Sequence, residues 1–228
     1  MKLTGSMFAG LTGKGLDFAS FSRVATYLCD LHSRTGVELA IVLGAGNLFR
    51  GREVVDTTFD KATADYIGML GTIMNALALG EELSRLSCPV RVLSSISVPD
   101  ICEPFYRNRA LKHLEKGRLV ILAGGTGSPF FTTDSAAALK AAELKCEIIL
   151  KGSNVEGVFD GDPKIKAAAK LYKSLTYQEA LEKGLTVMDN TAFALCHREK
   201  IPIRVFNVED LSNIEKAIAG LEVGTLIK

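Results

Sequence analysis

The chain has 228 residues, 47% of them hydrophobic, which is enough for one large domain or two small ones and excludes a disordered chain. Its 27 Lys and Arg against 26 Asp and Glu leave a formal charge of +1, which argues against the broad basic face of a nucleic-acid binder but not against a local anion site. Five scattered cysteines without a CxxC pair and three isolated histidines predict neither a disulfide framework nor a protein-held metal.

The start, MKLTGS, has a lysine but no hydrophobic stretch of the signal-peptide kind. Further on, Asp17 to Arg34 has a helical pattern, and Val37 to Leu43 (VELAIVL) predicts a buried strand ending in Gly44-Ala45-Gly46. Phe59 to Leu86 predicts a long helix whose Met69, Leu70, Ile73, Met74, Leu77 and Leu79 read either as core or as a subunit interface, and the interface is the expectation. A strand at Val90 to Leu93, a helix at Pro104 to Lys116 and a strand at Arg118 to Ala123 (RLVILA) follow, the last closing in Gly124-Gly125-Thr126-Gly127. A helix over Thr133 to Lys145 and a strand over Glu147 to Lys151 come next. The polar, turn-rich stretch Gly152 to Tyr172 predicts a hairpin or lobe outside the main sheet. Helices at Thr176 to Lys183, Asn190 to Lys200 and Glu209 to Gly220, with a strand at Ile203 to Phe206, complete the pattern. No apolar run reaches the about 18–20 residues of a membrane span, so the expectation is a cytoplasmic protein that binds neither membrane nor nucleic acid. Strand–helix alternation of this kind predicts an α/β fold with a mostly parallel sheet and helices on both sides.

Glycines gather at strand ends, where open α/β sheets bind ligands. Gly10 to Gly15 (GLTGKG) is not a P-loop, because the earlier glycine is missing and Gly15 stands where Ser or Thr holds magnesium. Gly44 to Phe49 begins like a dinucleotide fingerprint but has Phe49 at its sixth position. Gly44 to Gly51 (GAGNLFRG) brings bare amides and Arg50, while Gly125 to Thr133 (GTGSPFFTT) brings amides and four hydroxyls before a helix. Each alone reads equally as a tight turn. Two together point to a site for two phosphorylated groups. Phosphoryl transfer needs cations and a carboxylate, and the candidates are Lys2, Arg50, Lys151 and Asp134. Helix capping explains Asp134 as well, and a surface carboxylate explains Asp65 as well.

The segments IVLGAGNLFRG (41–51), DYIGMLGTIMNALAL (65–79), AGGTGSPFFTTDSAAA (123–138), GVFDGDP (157–163), LTVMD (185–189), IPIRVFN (201–207) and the closing GTLI resemble bacterial UMP kinases, in the family's order and across essentially the whole chain. TGSPFFTTDSAA sets this family apart within the broader amino acid kinase fold.

The resemblance implies a three-layer αβα sandwich and transfer of the ATP γ-phosphoryl to UMP, with Mg2+ accompanying ATP. It implies a single domain over residues 1–228, with 1–150 mainly the acceptor half and 151–228 mainly the ATP-side lobe. Lys2, Leu3, Thr4 and Gly5 resemble the ATP-phosphate loop, with Lys2 bridging the two phosphate groups. Gly46, Arg50, Ser153, Phe159 and Asp162 match ATP-side positions. Ala45, Asp65 and the run Thr126, Gly127, Ser128, Pro129, Phe130, Phe131, Thr132 and Thr133 match UMP positions. Lys2, Arg50 and Asp134 are the implied catalytic residues. A homohexamer is implied, as are UTP inhibition and GTP activation, although the short Met7 to Gly15 stretch, where the family places an effector-sensing loop, argues against the GTP response. Two departures stand out. Ala45 replaces the middle glycine of the family's GGG, which requires a negative φ there. Only Met1 precedes Lys2 where the family has an apolar strand, so the expectation is a natural start further upstream or a form compromised at that strand. Two alternatives are a non-catalytic nucleotide binder on the same fold and a kinase acting on a carboxylate or carbamate.

Overall fold

The structure is a computed structural model that describes residues 1–51, 59–161 and 168–228. The backbone forms two compact units, Leu3–Ala136 and a second made of Met1–Lys2 with Ala137–Lys228.

In the first unit, strands β2 (Ala40–Leu43), β3 (Val90–Ser94), β4 (Glu103–Pro104) and β5 (Leu119–Ala123) run parallel in the order β4-β3-β5-β2. Leu3, the last residue of the two-residue strand β1 (Lys2–Leu3), accepts the Gly44 amide on its carbonyl at 2.9 Å. Every residue of β5 is buried, as expected of a central parallel strand covered on both faces. Helix α1 (Phe18–Thr35) is capped by Asp17, whose carboxylate accepts the Ser20 amide, and it stops where Gly36 turns left-handed at φ 62°. It buries Phe21, Val24, Leu28 and Leu31. His32 in its last turn ties two loops together, with its ring nitrogens 3.0 Å from the Val37 carbonyl and 2.9 Å from that of Gly117.

Helix α2 (Lys61–Arg85) starts at Asp60, whose carboxylate accepts the Thr63 amide at 2.8 Å. Met69, Ile73, Ala76, Leu79 and Leu83 are buried, while Tyr66, Ile67, Leu70 and Met74 are exposed. The helix is therefore buried along one face and leaves apolar side chains exposed on another.

Several boundaries differ from the sequence expectation, two of them here for clear physical reasons. Strand β2 begins at Ala40 rather than Val37, because the Val37 carbonyl meets the His32 ring instead of a neighbouring strand. Pro104 lies in β4 and not in the following helix α3 (Arg107–Leu114). With no N–H to donate, it is suited to the edge position that β4 occupies.

Helix α4 (Thr133–Leu144) begins in the first unit and continues into the second. There, β6 (Ile149–Ser153), β7 (Ser174–Leu175), β8 (Ile203–Asn207) and β9 (Thr225–Ile227) lie in the order β6-β8-β9-β7, with Lys2 of β1 pairing with Lys151. Only the β8–β9 pair is antiparallel. Helices α5 (Tyr177–Glu182) and α6 (Asn190–Glu199) pack Tyr177 and Phe193 into a core with Ile149, Leu175, Ile203, Val205 and Ile227. The last helix, α7 (Ser212–Ile218), is shorter than its sequence pattern, because the Asp210 carboxylate accepts the Ser212 amide and closes the preceding turn. Beyond β6, Phe159 and Leu171 form an antiparallel bridge, so the described parts of the turn-rich segment pair with each other.

Candidate active site

Strands β2 and β5 are adjacent and parallel, with Ala40, Ile41 and Val42 beside Val120, Ile121 and Leu122. Their carboxyl ends therefore deliver the two glycine loops to the same edge of the first unit. Helix α2 holds both loops. The Thr72 hydroxyl accepts the Gly124 amide at 2.8 Å, and the Asn75 amide donates to the Gly44 carbonyl at 2.8 Å. Asp65 lies further toward the N-terminus of the same helix, where its Oδ2 accepts the Phe130 amide at 2.7 Å. Asp65, Thr72 and Asn75 thus form a polar stripe at near-helical spacing on an otherwise apolar helix.

The 44–46 turn is tightly built. Ala45 offers its carbonyl to the amides of Leu48 and Phe49, each at 2.9 Å, and the Gly46 carbonyl accepts from Arg50 Nε at 2.9 Å. Among the described residues, the amides of Ala45 and Gly46 meet no protein acceptor. The Gly5 backbone lies directly against them: a Cβ on Gly5 would come 2.6 Å from the Gly46 nitrogen and 2.7 Å from the Gly44 oxygen. Only glycine fits at that position. Backbone amides left without protein acceptors are chemically suited to bind an anion. Ala45 is not among the residues with positive φ, so its methyl is sterically allowed in the turn.

The second loop is equally constrained. Thr126 Oγ1 accepts the Ser128 amide and donates to the Ser128 carbonyl, and Ser95 Oγ donates to the Gly125 carbonyl at 3.0 Å. Phe130 has φ 69°, a left-handed conformation that costs energy for a non-glycine residue, and the Asp65 bond holds it there. Lys61 reaches the same carboxylate at 3.2 Å, with its ammonium 5.7 Å from the centre of the Phe130 ring. Phe130 and Phe131 are exposed. At the loop's exit, Thr132 Oγ1 accepts the amides of Asp134 and Ser135, at 3.0 and 3.2 Å. Thr132 therefore caps α4, and Asp134 lies in its first turn. Thr133 lies near the first loop, since a Cβ on Gly44 would be 3.8 Å from its hydroxyl.

The structure therefore brings together Gly5, Ala45, Gly46, Arg50, Asp65 and the 126–134 run in the first unit. Lys2, Ser153 and Phe159 belong to the second. Ser153 ends β6, and its carbonyl accepts the Val208 amide at 2.9 Å. Lys151 donates from Nζ to the Val187 carbonyl at 2.6 Å. Asp162 lies outside the described residues. Sequence reading missed Asn47, Thr72 and Asn75, although Thr72 and Asn75, as polar residues inside the apolar run GMLGTIMNALAL, were a usable signal.

The amino acid kinase family model matches residues 1–207. The chain belongs to the amino acid kinase family. Within this family it is 47% identical to the uridylate kinase of Oenococcus oeni, over the whole of this chain and 95% of the relative. It is also 47% identical to the chloroplastic uridylate kinase PUMPKIN of Arabidopsis thaliana, over the whole of this chain and 67% of the relative. The solved structure of UMP kinase from Bacillus anthracis superposes with a TM-score of 0.95 at 37% identity, covering all of this chain and 93% of that one. The fold class is thus the α/β, mostly parallel arrangement of this amino acid kinase family.

Proposed function

We propose that this chain is a nucleoside monophosphate kinase that transfers the γ-phosphoryl group of ATP to UMP. A phosphate oxygen of UMP attacks the γ-phosphorus, the bond from that phosphorus to the β–γ bridging oxygen breaks, and UDP and ADP leave. The observation that carries this reading is the pair of donor-rich loops at the ends of β2 and β5, both bonded to α2. The full-length similarity to uridylate kinases supports UMP as acceptor.

In this reading Asp65 binds the UMP ribose, and Thr126, Gly127, Ser128, Pro129, Phe130, Phe131, Thr132 and Thr133 surround the base and its phosphate, beside Ala45. Gly46, Arg50 and the stretch Lys2, Leu3, Thr4 and Gly5 receive the ATP phosphates, with Ser153, Phe159 and Asp162 on the nucleoside side. The unused amides of the 44–46 turn stabilise charge on the moving phosphoryl group, and Lys2 and Arg50 add cationic charge. Asp134 orients the phosphates. Among the described residues no group of three or more His, Cys, Asp or Glu is arranged to hold a metal ion. The amides and hydroxyls suit phosphate oxygens, and the Asp134 carboxylate would be the protein oxygen ligand nearest to Mg2+ carried in on the ATP phosphates. Bound there, the ion neutralises phosphate charge.

The exposed Tyr66, Ile67, Leu70 and Met74 on α2 suit self-association toward a hexamer, and UTP and GTP are the effectors to test. Among the described residues, no helix is long and apolar enough to cross a membrane.

The test is an ADP-release assay with Mg-ATP and UMP, CMP, AMP, acetylglutamate or aspartate as acceptor. Turnover with UMP alone is expected. Preference for an amino acid overturns the assignment.

A further inference from the structure

We infer that Asn47 and Asn75 form a positioning clasp that sets the 44–46 turn for phosphoryl transfer; this rests on the function proposed above. Both side chains are buried, at 3% and 0% exposure, far more than is usual for asparagine. They bond to each other reciprocally: Asn47 Nδ2 donates to Asn75 Oδ1 at 3.0 Å, and Asn75 Nδ2 donates to Asn47 Oδ1 at 2.8 Å. Each also donates its second amide hydrogen to a carbonyl, Asn47 to Gly15 at 2.9 Å and Asn75 to Gly44 at 2.8 Å.

The orientation of both amides is fixed by chemistry. A backbone carbonyl can only accept, so each Nδ2 must face its carbonyl, and the reciprocal pair follows. Both amides use their two donor hydrogens, so the buried pair leaves no unmet donor. The pair holds three pieces of backbone: the carbonyl of Gly44, which begins the turn; the Gly15 carbonyl in the preceding loop; and Gly5, where a Cβ would meet Asn47 Oδ1 at 2.6 Å. In addition, the Gly15 amide donates to the Asn47 carbonyl at 2.8 Å. With the Gly44 carbonyl drawn to Asn75, the following amides of Ala45 and Gly46 are left for a ligand. The clasp touches no reacting atom and acts through these amides.

Two substitutions separate this role from bulk stability. Asn75→Asp keeps the shape but removes both donors, and Asn75→Ser removes the amide with less repulsion if the first variant folds poorly. His32→Gln is a control: it disturbs another buried polar tie, between Val37 and Gly117, away from the loops. In both Asn75 variants kcat is expected to fall about ten-fold or more, with both KM values within about three-fold of the parent, because transition-state contacts are lost while uniform binding is kept. Hydrogen exchange of the 43–50 segment should speed up about ten-fold relative to the rest of the folded chain. His32→Gln should lower Tm and leave kcat intact. Unchanged kcat in the Asn75 variants, or loss matched by the control at equal Tm, overturns the proposal. If the parent protein leaves UMP unphosphorylated, the assigned function fails, and the exchange measurement decides the clasp by itself: faster exchange upholds it and unchanged exchange overturns it.

Discussion

The methyl group of Ala45 occupies the space that a side chain on Gly71 would need. A Cβ on Gly71 would lie 2.9 Å from Ala45 Cβ and 3.7 Å from Leu48 Cβ, so the alanine in the turn and the glycine in α2 fit each other as a pair. The glycine lowers helix propensity and lets the turn pack directly on the helix backbone.

Gly71→Ala is therefore expected to destabilise the protein by about 1–3 kcal/mol through overpacking, although alanine is the better helix former. Adding Ala45→Gly should recover most of the loss. Calorimetric Tm values for the two single variants and the double variant measure the coupling, and simple additivity refutes the paired fit.

Gly5→Ala should abolish turnover, because its Cβ would press on the nitrogen of Gly46 and the oxygen of Gly44, backbone atoms that cannot move aside cheaply. Steady-state assay of the folded variant checks this, and near-normal kcat contradicts it.

Asp134→Asn keeps the shape and the helix cap, since Thr132 provides the cap. A loss on the order of 10²–10³ in kcat with little change in Tm is expected if the charge serves the reaction. A change in Tm with normal kcat would return Asp134 to a purely structural role.

Asp65→Asn leaves an oxygen for the Phe130 amide but weakens the attraction to Lys61, whose exposed ammonium is itself a modest contributor. KM for UMP should rise about ten-fold, with KM for ATP unchanged. Equal changes in both constants argue against a ribose contact.

Acid sensitivity has a defined sign. The Asp17 carboxyl is held below its usual 3.8 by the Ser20 hydroxyl and then the Ser20 amide, and that of Asp60 by the Thr63 amide and then its hydroxyl. Because both folded values are depressed, their stabilisation is present above about pH 4 and is lost as the pH falls through the folded values. Melting curves from about pH 6 to about pH 3 should flatten in Asp17→Asn and Asp60→Asn. Unaltered slopes exclude these caps as the source.

The long helices and central strands were legible because each carries its own period and boundary residues, as Asp17 and Gly36 do for α1. The two-residue strands β1, β4 and β7 were not, since two residues display no alternation. The site was legible as loops and less so as contacts. Thr132 and Asp134 are both competent caps, and only the backbone direction at the loop's exit selects one of them. Neither the fit of Ala45 against Gly71 nor the bonding of Asn47 to Asn75 follows from local pattern, because each joins residues more than two dozen positions apart.

Helix α2 binds the Gly44 turn through Asn75 and the Gly124 turn through Thr72 on one side, while Leu70 and Met74 stand exposed on another. Its 25 residues act as a lever with both loops fastened within a single turn of each other. A displacement of that lever would carry the ends of both loops with it, because each is bonded to it.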